Sequence, residues 1–380
     1  MARVLGVDPG TGSMDILALD DSTMEVILEE SIPRDMVTRD PGIVVRVIEK
    51  ALPLDAVVAP SGYGLPTIRA QDASPEQIRE ASFIHRADEE RGLRIVGLRR
   101  LMEMLRRSSL PAWFTPGVIH LPTVPPHRKA GRIDMGTADK VFTVAAALRQ
   151  EVEDHGVEPS RARFIAVEAG MAYTAAIAVD SGMIVDGIGG TSGWWGFMGM
   201  GFMDAELAYA LAHVKPSFSK SLLFTGGAST ITGYKTPREL GEAYRRGDSQ
   251  ALAGVKMLVE AVRKDVASLL AVVGPVERIY VSGRLFSDET LGPLLVEGLE
   301  DMAASLSLGY RIERVRGLGA RTKEAATGAA LIASGLAGGR YRWLVDSLRL
   351  REASGGVFAH IHPRELGMEL ERAFTGGAPL

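Results

Sequence analysis

Two stretches of the chain repeat one order of apolar and polar positions. Residues 4–20 read VLGVDPGTGSMDILALD and residues 164–180 read FIAVEAGMAYTAAIAVD. Aligned without gaps at an offset of 160, Val7 meets Val167, Gly10 meets Gly170, Ala18 meets Ala178 and Asp20 meets Asp180, while Asp8 faces Glu168. Each copy is an apolar run ending in an acid, a glycine-containing turn, a second apolar run and an aspartate-containing turn. Apolar runs of this length bounded by turn residues predict strands. A third strand follows in each copy, at 24–28 and at 183–185. The pattern predicts a three-stranded meander, made twice.

Elsewhere the apolar spacing alternates between helix and strand. Helices are predicted over 41–52, 75–109 (as two), 137–154, 237–246, 249–273, 287–306, 323–336 and 363–374. Short apolar runs predict strands at 55–59, 118–121, 277–281 and 310–315. Strands alternating with helices indicate an α/β fold. Two similar halves predict a duplicated domain with a cleft between the copies. The expected division is a first domain over 1–136, a second over 137–340 and a C-terminal tail over 341–380.

Composition changes this picture in three ways. The 380 residues include no cysteine, which excludes disulfide scaffolds, thiolate metal sites and cysteine nucleophiles. The formal net charge of −4 argues against a general nucleic-acid-binding surface. The apolar run at the start is too short for a signal peptide, and no stretch approaches the ~20 apolar residues of a membrane span. The expectation is a cytoplasmic protein with no nucleic acid and no membrane among its partners.

The sharpest local signal is Asp8-Pro9-Gly10-Thr11-Gly12-Ser13. Gly10 and Gly12 let the backbone approach a ligand closely, and successive N–H groups with the Thr11 and Ser13 hydroxyls suit phosphate oxygens. Asp8 is placed to hold Mg²⁺. The same residues also read as a glycine-rich hairpin turn without ligand. The second copy, with Glu168 and Gly170, has fewer hydroxyls and the same two readings. In Gly131-Arg132-Ile133-Asp134-Met135-Gly136-Thr137-Ala138-Asp139-Lys140, Asp134 or Asp139 can act as a base or orient an acceptor. The alternative is helix capping by Asp134 or Thr137, with Asp139 favouring the helix dipole. His127, Arg128, Lys129 and Arg132 form a local basic cluster that suits an anionic acceptor or an exposed loop. Residues 187–201, GIGGTSGWWGFMGMG, hold seven glycines and read as a ligand wall or a packed domain or homodimer surface.

These motifs resemble those of the superfamily that contains actin, sugar kinases, acetate kinases and the seventy-kilodalton heat-shock chaperones. The Asp8 and Glu168 elements are similar to its phosphate-1 and phosphate-2 loops. Ile279-Tyr280-Val281-Ser282-Gly283-Arg284 resembles its adenosine motif, and Lys323-Glu324-Ala325-Ala326-Thr327-Gly328-Ala329-Ala330 its second connecting helix. The Gly136–Asp139 segment resembles the start of the first connecting helix of sugar kinases, where the aspartate supplies the general base. Over its whole length the chain resembles the family of predicted butyrate kinases.

The resemblance implies a pair of ribonuclease-H-like domains, the actin-like ATPase fold, with ATP and Mg²⁺ in the interdomain cleft. Asp8 and Glu168 would serve the metal. Gly10, Thr11, Gly12, Ser13 and Gly170 would serve the phosphates, and Gly283 and Arg284 the adenosine. Asp139 or Asp134, with Arg128, would act on a small-molecule acceptor such as butyrate or another short carboxylate. Well-studied acetate and butyrate kinases place Asn where this chain has Asp8, and a Lys shortly after the first glycine turn where it has Met14-Asp15. They also carry an Arg near the end of the glycine-rich segment, where Phe202-Met203-Asp204 stands here. The phosphate-1 loop is more sugar-kinase-like, so a hydroxyl acceptor stays open. So does a nucleotide-gated switch or assembly protein without an acceptor.

Overall fold

The computed structural model describes residues 2–90, 96–214 and 219–376. The expected helical stretch 75–109 falls partly outside them, at 91–95. Two sheets organise the chain. The first contains β1 (Arg3–Asp8), β2 (Ser13–Asp20), β3 (Val26–Pro33), β4 (Ala56–Val58), β5 (Ile68–Arg69) and β6 (Ala112–Phe114), in the order β3-β2-β1-β4-β6-β5. The second contains β7 (Phe164–Ala169), β8 (Thr174–Asp180), β9 (Met183–Ile188), β10 (Arg278–Ser282) and β11 (Arg311–Arg314), in the order β11-β10-β7-β8-β9.

Apart from β5, which pairs antiparallel with β6 at the edge of the first sheet, the two orders are one order written twice. A meander, β3-β2-β1 or β9-β8-β7, is extended by two strands, β4 and β6 or β10 and β11. β1 runs parallel to β4 and β4 to β6; β7 runs parallel to β10 and β10 to β11. Parallel neighbours need crossovers, and helices supply them. The sequence repeat is therefore a structural repeat, an α/β duplication of ribonuclease-H-like sheets. In β1, β2 and β7 apolar residues sit on both faces, and nearly every position is buried. That is the signature of strands covered on both sides.

By contacts the chain forms two compact units. The first is Met1–Ala162 with Val179–Asp186 and Val315–Leu380; the second is Arg163–Ala178 with Gly187–Arg314. This division is discontinuous in sequence, unlike the expected 1–136, 137–340 and 341–380. The helix Ala138–His155, here the first connecting helix, counts with the first unit, and so does the helix Glu324–Leu336, the second connecting helix. The stretch after residue 340 also packs into the first unit. Tyr341, Leu344, Val345, Leu348, Leu350, Val357 and Phe358 are buried, and the Phe358 and Phe374 rings pack with Phe83.

The second connecting helix is the centre of the first unit. Every residue from Ala325 to Leu336 is buried. It lies against β1 on one side and the first connecting helix on the other. A Cβ at Gly6 would strike the Ala330 backbone nitrogen, and a Cβ at Gly328 would strike the Phe142 carbonyl. Small residues here let three backbones meet directly.

One predicted strand is replaced. Residues 118–121 are a 3-10 turn, Val118–His120, and the strand is Ala112–Phe114. A short buried apolar run has no periodicity that separates strand from turn. Here Pro116 and Gly117 break the backbone just before it.

Candidate active site

Asp8 and the phosphate-1 loop stand at the end of β1, where other charged residues of the first unit gather. Asp8 closes that strand and is 1% exposed. Its carboxylate makes an ion pair with the Lys323 ammonium. Lys323 is the residue before the second connecting helix, and its backbone N–H donates to Asp15 Oδ2 at 3.1 Å. Its ammonium lies 4.0 Å from the same oxygen. Asp15 faces Asp8 across the β1–β2 pair and is also buried; its Oδ1 accepts from the Ser31 hydroxyl at 2.6 Å.

Glu29 on β3 fixes the approach of Lys323. It accepts from Arg321 N at 2.5 Å, Thr322 N at 2.7 Å and the Thr322 hydroxyl at 2.9 Å. Burial pushes its carboxyl up, but these hydrogen bonds outweigh burial and hold it below the usual glutamate value. Arg34 also reaches the cluster. Its backbone N–H donates to Gly12 O at 3.0 Å. Burial pulls its guanidinium below the ordinary value, and the Asp8 charge opposes that. Its Nη1 is buried without a hydrogen-bond partner among the described residues.

Asp139 sits in the first turn of the first connecting helix. Thr137 is the residue before that helix, yet its side chain makes no capping bond; its hydroxyl donates to Asp139 instead. Lys140 Nζ lies 2.6 Å from the other Asp139 oxygen. Burial pushes the Asp139 carboxyl up. The charge and hydrogen bond of Lys140, the Thr137 hydrogen bond and the Lys323 charge outweigh it, so the group stays below the ordinary aspartate value. Lys323 is thus the cation that Asp8 and Asp15 share, while Lys140 is the contacting cation of Asp139.

Other expected residues go elsewhere. Asp134 accepts from Gly136 N at 3.1 Å and shapes the loop before the helix. Arg128 donates to Val185 O at 2.8 Å and lies 4.0 Å from Asp186, tying its short helix to β9. Lys129 is buried and donates to Leu121 O at 2.7 Å, and burial lowers its pKa. Two residues of the basic cluster, Arg128 and Lys129, are thus taken up by the first unit's own backbone and side chains, while His127 and Arg132 are exposed. In the phosphate-1 loop Thr11 is exposed and Ser13 is buried as the first residue of β2.

The second unit holds the other motifs. Glu168 ends its run beside Ser282 of β10, and Gly170 N donates to Tyr173 O at 2.9 Å, closing the hairpin. Gly283 takes φ +94°, and a Cβ there would press on the Ala169 backbone, so the turn into the next helix requires glycine. Arg284 follows it, exposed at the helix start. The glycine-rich segment wraps this hairpin. Met198 N and Gly199 N both donate to Ala172 O, at 3.1 and 2.8 Å, and a Cβ at Gly190 or Gly199 would strike the Tyr173 ring.

Asp265, on the long helix Ser249–Val273, pins that segment. It accepts from Trp194 N at 3.1 Å and from the Thr174 hydroxyl at 3.2 Å. Burial pushes its carboxyl up to about 6, against those two hydrogen bonds. The folded chain therefore holds a proton that the unfolded chain has released. The stability this contributes is fully present below the ordinary aspartate value and is lost as pH rises through about 6. Asp265→Asn satisfies both partners without charge. It is expected to remove a decline on the order of 2–3 kcal/mol between pH 4 and 7. Denaturant midpoints of both proteins across that range test this; parallel curves would refute it.

Lys323, Asp15, Arg34 and Asp265 carry no expected role in the sequence. Asp15 had one legible signal, an acid inside an otherwise apolar run (residues 14–19), since a buried charge demands a partner. Lys323 brings a cation to Asp8 and Asp15 from the segment of the first unit that begins at Val315.

A family model described as "Protein of unknown function (DUF1464)" matches residues 6–363. The chain belongs to this family. No curated protein matches the chain. Among solved structures, a propionate kinase from Francisella tularensis subsp. tularensis SCHU S4 is similar, with TM-score 0.61 and 16% identity, covering 87% of this chain and 98% of that one. An acetate kinase from Porphyromonas gingivalis has TM-score 0.60 and 14% identity over the same shares, 87% and 98%. An acetate kinase from Entamoeba histolytica has TM-score 0.58 and 9% identity, covering 83% and 96%. At these identities the likeness is one of fold. This member of the family has the duplicated α/β fold of acetate and propionate kinases, the actin-like ATPase fold. Among its described residues no helix is long and apolar enough to cross a membrane.

Proposed function

We propose that this chain is an ATP- and Mg²⁺-dependent phosphotransferase acting on a small molecule. The observation that carries the reading is the buried Asp8–Lys323 ion pair with Asp15 beside it, at the end of the central strand of the first unit, together with Asp139, whose carboxylate the Lys323 charge also favours. The fold it shares with acetate and propionate kinases supports the reading.

Among the described residues no group of three or more acids or histidines is placed to hold a metal. Mg²⁺ needs no such group, because it keeps several waters and takes one or two carboxylates plus substrate phosphates rather than a protein cage. Asp8 would hold it. Bound with nucleotide, Mg²⁺ would offset the negative charge on the transferred group. The phosphate-1 loop, Gly10 to Ser13, offers N–H groups and hydroxyls to phosphate oxygens. Gly170 would serve the phosphates from the second copy of the motif, Glu168 the metal, and Gly283 and Arg284 the adenosine.

Asp139 orients the acceptor. Held ionised by Lys140 and Thr137, it is a weak base, suited to accepting a proton late in a loose phosphoryl transfer. An ionised Asp139 favours an acceptor that brings a proton, a hydroxyl compound such as a sugar. A short carboxylate such as butyrate needs Lys140 or Lys323 to offset its charge. ADP formation measured against a panel of short carboxylic acids and of sugars and other alcohols separates the two. ATP binding without turnover on any acceptor would overturn the phosphotransferase reading in favour of a nucleotide-gated switch.

A further inference from the structure

The ion pair that closes β1 has a chemical consequence for metal entry. Asp8 is almost wholly buried, and one carboxylate faces two cations, the Lys323 ammonium and the Arg34 guanidinium. Its charge is already answered by residues of the chain. A free divalent cation arriving there meets the repulsion of an ammonium in contact with the same carboxylate. A nucleotide polyphosphate changes that balance, because it brings several negative charges of its own and offers the ammonium another partner.

Three features keep the ammonium where it is. Glu29 clamps Arg321 and Thr322 immediately before Lys323. Asp15 holds the Lys323 backbone N–H. Gly10 leaves the room: a Cβ built on it would overlap Lys323 Nζ. The first glycine of the loop is thus shaped around the lysine as well as toward a ligand. The four-carbon stem of lysine is flexible and its side chain is 23% exposed, so the ammonium can swing without moving the helix.

We propose that Lys323 is a resident counter-ion that keeps free divalent metal off Asp8, so that metal enters the site only together with nucleotide. The inference rests on the phosphotransferase reading for the identity of the nucleotide, but not for the exclusion of metal. Lys323 is in this sense a gating residue for the ion.

The test uses the full chain without nucleotide, titrated with Mn²⁺ alone and followed by the loss of the free-ion electron paramagnetic resonance signal. Wild type is expected to show no saturable site at Asp8. Lys323→Met is expected to gain one, with affinity for the ion raised by about tenfold or more. Gly10→Ala, which displaces the ammonium while keeping lysine and Asp8, is expected to gain it too. Lys323→Arg keeps the positive charge and is expected to behave as wild type. Adding Asp8→Asn to Lys323→Met must abolish the gained site. Equal Mn²⁺ binding by wild type and a folded Lys323→Met would overturn the proposal, as would a gained site that survives Asp8→Asn. Mg²⁺·ATP binding, measured separately by calorimetry, reports on the phosphotransferase reading. Its failure alongside a gained Mn²⁺ site would sink that reading and leave the exclusion standing.

Discussion

Asp139→Asn is expected to slow acceptor-dependent ADP formation by roughly 10²–10⁴-fold, while Mg²⁺·ATP binding changes little. Asparagine keeps the shape of the side chain and can still accept the Thr137 hydrogen bond. It loses the charge that Lys140 and Lys323 surround. The competing account of this residue is purely local: an acid in the first turn of a helix favours the helix dipole. That interaction is worth about 0.3–1 kcal/mol, and its loss would lower thermal stability slightly without a selective effect on turnover. The two accounts separate when the melting temperature and the rate are measured on one preparation. A fall in rate of tenfold or less, with unaltered KM for the acceptor, would remove Asp139 from the reaction. Because its carboxyl is held below the ordinary aspartate value, the wild-type rate should not fall on account of this group as pH drops from 8 to 6.

The second large effect is structural. Gly328→Val should destabilise the first unit by on the order of 3 kcal/mol or more, and the chain is expected to express poorly or melt at distinctly lower temperature. The reason is that a Cβ at this position meets the Phe142 carbonyl, which is backbone of the first connecting helix and has nowhere to move. Ala329→Gly is the control. It is equally buried and its change leaves a gap rather than a clash, so it should cost about 2 kcal/mol, roughly 1 from lost helix propensity and roughly 1 from one buried methyl. Thermal denaturation of both variants settles the comparison, and a Gly328→Val protein as stable as wild type would mean the two helices are not packed backbone to backbone.

The repeat at 4–20 and 164–180 was legible because a strand's inward and outward positions are written directly into its side chains. β1 with β2, and β7 with β8, fall within a residue or two of the expected runs. Asp8 and Asp139 stood out in the sequence as acids beside glycine turns, and both are held by lysines in the fold. Lys323 was not legible as a partner of Asp8. An ion pair between residues so far apart in sequence leaves no periodic trace, and the lysine reads as an ordinary charge before a helix of small residues. Arg128 illustrates the reverse. Its charge and its neighbours suggested a ligand, but sequence does not show that a main-chain carbonyl of β9 already accepts from it. The discontinuous units were hidden for a related reason, since chain order reports sequence neighbours and not packing partners.

The return of the chain to its first unit also sets a schedule. β1 needs the helix Glu324–Leu336 against Gly6, and Asp8 needs Lys323, yet these partners are made 315 residues later (323 − 8). At ordinary translation speeds that is a wait of roughly 15–60 s. The whole of the second unit, whose last residue is Arg314, leaves the ribosome within that interval. The half of the protein that begins first is therefore finished last, and a nascent chain stalled anywhere before Lys323 carries the phosphate-1 loop without its counter-ion.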